Sequence, residues 1–93
     1  MLEFNDYIND CYDKLFALPV HIVLNDECNM SLVIEINDFK IDDLTGNKTH
    51  ILLCGDGGEI LDYVFVKIEY DQNEESFICE TENGIKVIFA VNN

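Results

Sequence analysis

Arginine and tryptophan are absent from this chain of 93 residues, and lysine, with five copies, is the only strongly basic residue left. Phosphate recognition relies on Lys and Arg, and Arg alone supplies the planar bidentate donor for phosphates and carboxylates. The shortage therefore argues against direct binding to nucleic acid or to an anionic membrane. Long hydrophobic runs are missing too, and none approaches the ~18 apolar residues of a transmembrane helix.

The sequence also lacks the marks of export and of a disulfide framework. It opens Met-Leu-Glu-Phe-Asn-Asp, without the basic start and apolar core of a signal peptide. The four cysteines stand at positions 11, 28, 54 and 79, and no two form a C-x-x-C pair. We therefore expect a cytoplasmic protein whose thiols are free and mostly buried.

Acidic residues are abundant: 19 Asp and Glu give a formal charge of −14, while 48% of the residues are apolar. The apolar content is sufficient for one folded domain, and no linker or repeat divides the chain, so residues 1–93 are predicted to form a single acidic α+β domain. Self-repulsion at this charge lowers stability. The acidity either keeps the protein dispersed or serves a binding surface.

Hydrophobic periodicity predicts one helix followed by strands. Apolar side chains at 4, 8, 11, 15 and 18 share one helical face, so a helix is expected over 4–18, ended by Pro19. Strands are expected over 20–24, 30–37, 50–54, 60–70, 76–81 and 85–91, with turns at 25–27, 56–59 and 83–84. Residues 38–49 fit either a further short strand or a loop. Short connections favour an α+β fold in which one N-terminal helix packs on a five- or six-stranded antiparallel meander sheet.

The strand over 60–70 has two candidate faces, with even-numbered residues on one and odd-numbered residues on the other. If the helix covers one sheet face, the odd face with Leu61, Tyr63 and Phe65 is either ordinary core or a partly open aromatic binding surface. At Asn83-Gly84 we expect a tight hairpin turn with positive φ at both residues.

The acids fall into three clusters. The first is a stripe along one face of the helix, roughly 140° from its apolar face, and comprises Glu3, Asp6, Asp10 and Asp13. The second surrounds one hairpin and comprises Glu69, Asp71, Glu74, Glu75, Glu80 and Glu82. The third comprises Asp26, Glu27, Asp38, Asp42 and Asp43. We predict that the first two clusters form the partner-binding residues, because an acidic surface speeds association with a basic protein.

Metal binding and catalysis find little support in the sequence. Residues 38–47 are acidic and contain a glycine, but Lys40 stands at a calcium-ligand position of the twelve-residue loop. His21, Cys28, His50 and Cys54 lack the close spacing of a structural zinc site. Catalytic Ser, His and phosphate-loop motifs do not occur, and the chain offers a thiol little positive charge for activation. We therefore expect no cofactor, no metal site and no enzymatic activity.

The preferred hypothesis is an acidic protein-binding inhibitor, of DNA-mimic, anti-nuclease or toxin-immunity type, such as a phage protein that blocks a bacterial nuclease. It would occlude a basic site on a nuclease or another nucleic-acid-binding protein, acting as a monomer or a homodimer. The alternative is a non-catalytic structural or accessory subunit that pairs through an apolar sheet face. A small metal-regulated module is a third interpretation.

Overall fold

The computed structural model describes residues 3–91 of the chain. Its elements, in order, are α1 (Phe4–Lys14), β1 (Ala17–Leu24), β2 (Glu27–Leu44), β3 (Lys48–Gly55), β4 (Ile60–Asp71), β5 (Ser76–Thr81) and β6 (Lys86–Ala90). Each strand pairs antiparallel with the next one, and β6 also pairs with β1, so the sheet closes into a barrel. The predicted α+β meander with an N-terminal helix is confirmed. It has six strands, and closure leaves it without a free first or last strand.

Two long strands turn the corners of the barrel. The first part of β2 pairs with β1 and the remainder with β3, and the register shifts between Ile36 and Asp38. Strand β4 likewise pairs first with β3 and then with β5, with a shift between Phe65 and Lys67. An extra residue in one strand bends it and increases its twist. Residues 38–44, which the sequence left open between strand and loop, are therefore the continuation of β2.

The irregularity in β4 also changes which side chains face inward. Leu61 and Phe65 lie inside the barrel, and beyond Phe65 the inward positions become Ile68 and Tyr70. The prediction of two fixed faces along 60–70 is therefore wrong beyond Phe65. The hypothesis of an open aromatic face is wrong as well, because Phe65 is only 1% exposed and Tyr63 stacks on it at 5.6 Å between ring centroids.

The helix is shorter than predicted, because it ends at Lys14 rather than near Leu18. Leu15 adopts the left-handed conformation, and the N–H of Phe16 donates to the carbonyl of Cys11 at 3.0 Å, which closes the helix as a Schellman motif. Pro19 favours extended backbone at Leu18. Leu18 consequently pairs with Ile34 as part of β1 and is buried there.

The turns follow the predicted positions, with one difference in type. Asn25 and Asp26 both have positive φ and join β1 to β2 in a two-residue hairpin. At the β5–β6 hairpin only Gly84 has positive φ, and the N–H of Thr81 donates to the carbonyl of Ile85 at 2.9 Å. The expectation of positive φ at both Asn83 and Gly84 is thus wrong. A three-residue loop whose last residue is left-handed joins these strands.

Candidate functional site

Helix α1 is held firmly against the barrel by aromatic side chains. The ring of Phe4 meets those of Phe77 and Phe89 at centroid distances of 5.2 Å each. Tyr7 packs on Phe77 as well, and its hydroxyl donates to the carbonyl of Ala90 at 2.8 Å. Burial raises the pKa of the Tyr7 hydroxyl and that of the Cys11 thiol next to it, so both groups stay neutral. The helix therefore presents its outer face on a fixed base.

That outer face carries the acidic stripe predicted from the sequence. Glu3, Asp6, Asp10 and Asp13 are all exposed. Lys14 contacts Asp10 at 3.0 Å, and among the residues 3–91 no other lysine forms an ion pair with the stripe. Glu3 is the N-cap residue, yet its side chain makes no capping hydrogen bond. Most of the carboxylates on this face are thus free to meet a ligand.

Asp43 of β2 lies beside the stripe, and a backbone hydrogen bond connects the β4–β5 turn, with its acid Glu75, to the same region. On one side, Glu3 and Asp6 line a cavity of about 540 Å³ together with Asp43 of β2. On the other side, Asp6 and Asp10 line a cavity with Val91, whose N–H donates to the carbonyl of Glu75 at 2.8 Å. We call this surface the helix end; it comprises Glu3, Asp6, Asp10, Asp13, Asp43 and Glu75.

The structure divides the second predicted cluster. Glu74 and Glu75 are exposed in the β4–β5 turn, which Asp71 braces by accepting hydrogen bonds from the N–H groups of Asn73 and Glu74 at 2.9 and 3.2 Å. Glu80 and Glu82 lie at the opposite end of β5. Asp71 therefore has a structural task in its turn, and only the turn half of this cluster lies near the helix end.

The remaining members of that cluster lie among lysines. We call the outward-facing side chains of the six strands, together with Glu82 in the loop after β5, the barrel wall. There Lys67 contacts Glu69 at 3.4 Å, and Lys48 contacts Glu82 at 3.4 Å. Glu80 lies between two lysines, because it is the cross-strand partner of both Lys67 and Lys86. Their charge is therefore partly compensated, in contrast to the helix end.

The third acidic cluster does not form a single surface. Asp26 and Glu27 are at the β1–β2 turn, whereas Asp42 and Asp43 are near the far end of the 18-residue strand β2. Asp42 contacts Lys40 at 3.5 Å on the barrel wall. Only Asp43 of this cluster joins the helix end.

Sequence reasoning missed an apolar corner next to the acidic stripe. Tyr12, Leu15 and Phe16, where α1 meets β1, are 40%, 77% and 48% exposed. Leu15 was predicted to lie on the buried helix face, but the helix ends before it. Pro19 is the signal that could have revealed this corner. A proline favours extended backbone in the residue before it, so a helix can be expected to end a few positions before Leu18.

The residues considered for metal binding are spread over the barrel. The Nδ1 atom of His21 lies 2.7 Å from the Ser31 hydroxyl, whereas the Nε2 atom of His50 lies 2.6 Å from a carboxylate oxygen of Asp62. Within residues 3–91 no three His, Cys, Asp or Glu side chains are grouped as metal ligands. The segment considered for calcium is strand up to Leu44 rather than a loop. All four cysteines are free thiols, and burial raises the pKa of Cys79 from 9.0 to about 12.

A further cavity, of about 500 Å³, opens between β4 and the β5–β6 hairpin. Its lining includes Asp62, Tyr63 and Glu82. Both carboxylates already have a partner, since Asp62 contacts His50 and Glu82 contacts Lys48. This cavity consequently offers a basic ligand less free negative charge than the helix end does.

Comparisons of the chain with protein-family models, curated proteins and solved structures found no match. The described part of the chain contains no helix long and apolar enough to cross a membrane. The function therefore has to be inferred from the chemistry of the helix end and the barrel wall.

Proposed function

We propose that this protein is an acidic, non-catalytic inhibitor that binds a basic partner protein and covers the partner's nucleic-acid-binding site. The helix end is the contact surface in this proposal. A single observation carries it: the carboxylates of the α1 stripe lie beside Asp43 of β2 and near the β4–β5 turn that holds Glu75, and Lys14 is the only lysine that pairs with the helix stripe in residues 3–91.

The arrangement suits a receptor that normally holds a phosphate backbone. Glu3 to Asp13 spans ten residues of sequence, about 15 Å along a helix at 1.5 Å per residue, so the stripe presents charge along a line rather than at a point. Basic grooves that bind nucleic acid attract such a surface over long range and at high rates. Competition for the same lysines and arginines would then exclude the nucleic acid.

Folding stability alone does not account for the whole stripe, because Asp6 in the first turn suits the helix dipole but Asp13 in the last turn opposes it. Like charges three or four residues apart on a helix repel each other by a few tenths of a kcal/mol, roughly 0.2–0.5 per pair. Interspersed lysines would remove the repulsion, as they do on the barrel wall at Lys67 and Lys48. A binding task at the helix end accounts for their scarcity there.

The site of action in this proposal is the cytoplasm, where such partners are found. Four free thiols are in keeping with a reducing compartment. Two of them, Cys11 and Cys79, are buried in the core, where they pack as small apolar side chains.

Two matched variants test the proposal. The first neutralises the stripe with Glu3→Gln, Asp6→Asn, Asp10→Asn and Asp13→Asn. The second removes the same number of charges elsewhere with Asp26→Asn, Glu27→Gln, Asp38→Asn and Asp56→Asn, all exposed and none in an ion pair in the described chain. Immobilised wild type and both variants are used to capture partners at low and at high salt, and each captured protein is assayed for nucleic-acid binding.

The expected result is capture of a nucleic-acid-binding protein by the wild type and by the second variant, with affinity about tenfold lower or worse for the first variant. Binding should weaken steeply with salt, and the partner should lose its nucleic-acid binding in the complex. Equal binding by the two variants, or binding indifferent to salt, would contradict the proposal.

A second candidate function is a structural or accessory subunit that pairs through apolar groups of the barrel wall. It is favoured by the exposure of Ile60, Val64 and Val66 on β4, with Ile60 at 68%. This candidate requires a stable oligomer that is insensitive to salt. Light scattering of the pure protein at low and high salt, repeated with Ile60→Ser, distinguishes the two functions.

A further inference from the structure

The corner between α1 and β1 exposes more apolar surface than folding requires. Leu15 and Phe16 follow each other in sequence and are 77% and 48% exposed. Tyr12, one helical turn before Phe16, is half-exposed and touches Phe39 edge-on. We call Tyr12, Leu15 and Phe16 the apolar corner.

The backbone at this corner adopts a conformation that ends the helix but that leucine disfavours. Leu15 has φ 57° and ψ 36°, the left-handed conformation that closes the helix. Glycine is the usual residue there, because the Cβ of any other residue crowds the following carbonyl at a cost of about 1–2 kcal/mol. An exposed leucine recovers little of that cost by burial. Strain that the fold leaves uncompensated points to a function for the side chain.

A small cavity of about 340 Å³ adjoins the corner and combines negative charge with apolar lining. Asp6 contributes a carboxylate without an ion-pair partner in the described chain and Asp10 one that contacts Lys14, while Tyr7, Phe16 and Val91 contribute apolar surface. A lysine or arginine side chain matches this combination. Its charged head would lie between the carboxylates, and its aliphatic stem would lie against the rings.

Charge complementarity decides what occupies this surface. A second copy of the chain would bring another formal charge of −14. Three of its five lysines contact acids of the barrel wall, and a fourth contacts Asp10. A basic partner satisfies both the carboxylates and the exposed apolar groups.

We propose that Leu15 and Phe16 are the apolar anchor of the docking surface, inserting into an apolar recess of a basic partner protein while the adjoining cavity receives one of the partner's lysine or arginine side chains. This inference rests on the proposed function and names the residues that add affinity to its electrostatic attraction. Interfaces concentrate their binding energy in a few well-packed residues near the centre, surrounded by contacts that exclude water.

Two synthetic peptides test the anchor before the partner is identified. One is decalysine, and the other has the same length with two leucines replacing the central lysines. Binding of each to the full chain is measured by fluorescence anisotropy at low salt. The protein variants are Leu15→Gly, Phe16→Ala and, as a matched control on the barrel wall, Ile60→Ala.

The leucine-containing peptide is expected to bind wild type more tightly than decalysine, although it carries two charges fewer. Leu15→Gly and Phe16→Ala should each lower the affinity for the leucine-containing peptide about five- to tenfold, because partial burial of one such side chain contributes about 1.5 kcal/mol or less. Leu15→Gly should leave decalysine binding unchanged, because decalysine has no apolar side chain for Leu15 to meet, and Ile60→Ala should leave the binding of both peptides unchanged. Leu15→Gly should also raise or preserve the melting temperature, so that a loss of affinity is not a loss of fold.

Three outcomes would overturn the inference. The first is equal affinity of the two peptides for wild type, and the second is a loss of affinity with Ile60→Ala as large as that with Leu15→Gly. Either result would contradict the anchor. The electrostatic function would still stand if neutralising the helix stripe abolishes decalysine binding. If decalysine binds as well to the stripe-neutralised protein as to wild type, the proposed function fails and the anchor fails with it.

Discussion

The helix end and the barrel wall use acidic residues in different ways. On the barrel wall, Lys40, Lys48 and Lys67 each contact a carboxylate within 3.5 Å, and Lys86 is the cross-strand partner of Glu80. Among residues 3–91, Lys14 is the only lysine that forms an ion pair with an acid of the helix end, and its partner is Asp10. Several acids of the barrel wall thus lie beside a lysine, whereas at the helix end only Asp10 forms an ion pair with one among residues 3–91.

This difference separates a region whose charges are arranged for stability from the surface that we propose for binding. Surface ion pairs contribute little individually, about 0–1 kcal/mol, but they remove the repulsion that a wall of acids would otherwise produce. The helix end keeps that repulsion, and aromatic packing beneath α1 offsets it through Phe4, Tyr7 and Phe77. A firmly packed base allows the exposed face to be shaped for something other than folding.

The largest expected effect tests that base. Ile8 is 0% exposed under the helix, whereas Ile60 is 68% exposed on the barrel wall. We expect Ile8→Ala to lower the free energy of unfolding by about 2–5 kcal/mol, because it leaves a cavity in the core. Ile60→Ala should change it by no more than about 0.5 kcal/mol. Urea unfolding of both variants checks this, and similar values for the two would show that the helix is not docked as described.

A smaller effect concerns alkaline pH. Burial raises the pKa of Cys79 from 9.0 to about 12, so the unfolded chain releases this proton at a lower pH than the folded one. The corresponding stability is complete below pH 9 and is lost as the pH rises towards 12, with a maximum slope of about 1.4 kcal/mol per pH unit.

In Cys79→Ala the free energy of unfolding, relative to its value at pH 7, should fall less between pH 8 and 11 than it does in the wild type. Denaturant unfolding at each pH measures it. Cys11 under the helix should behave similarly, since burial raises its pKa as well. Cys28→Ala is the control, because that thiol is exposed. A slope in Cys79→Ala as steep as that of the wild type would contradict the assignment to this thiol.

The smallest expected effects compare single charges in the two regions. Asp13 is exposed in the last turn of α1, where a negative charge opposes the helix dipole. Asp13→Asn should therefore stabilise the protein by about 0.3–0.5 kcal/mol at low salt. Glu69→Gln on the barrel wall loses the contact with Lys67 and should destabilise it by up to about 0.5 kcal/mol.

The opposite signs of these two substitutions are the informative result. Both effects should shrink in 1 M salt, where the Debye length falls to about 3 Å. Thermal unfolding at low and high salt measures them. Destabilisation by both substitutions would mean that the helix end is organised for stability in the same way as the barrel wall.

Local features of this fold were predictable, because they leave local marks. The helical face with Phe4, Ile8 and Cys11 and the hairpin that joins β5 to β6 follow from periodicity and from Gly84. Closure of the barrel was not predictable, since β1 and β6 meet across most of the chain. Nor were the register shifts in β2 and β4, because an extra residue in a strand leaves no signature in the hydrophobic pattern.

The candidate site was predictable in part for the same reason. The stripe from Glu3 to Asp13 follows from helical spacing, which is local. The division of the second cluster required the pairing of Lys67 with Glu80 and the contact of Lys48 with Glu82, which are tertiary features. The apolar corner depended on where the helix stops, and four residues separate the predicted end from the observed one at Lys14.

The surface potential of the helix end can be measured residue by residue, from the relaxation of amide protons caused by a cationic and by an anionic nitroxide. The account predicts that the ratio of cationic to anionic relaxation is highest at residues 3–16 and 72–75, and lowest around Lys67 and Lys86. An equal ratio in the two regions, or a maximum on the barrel wall, would contradict it.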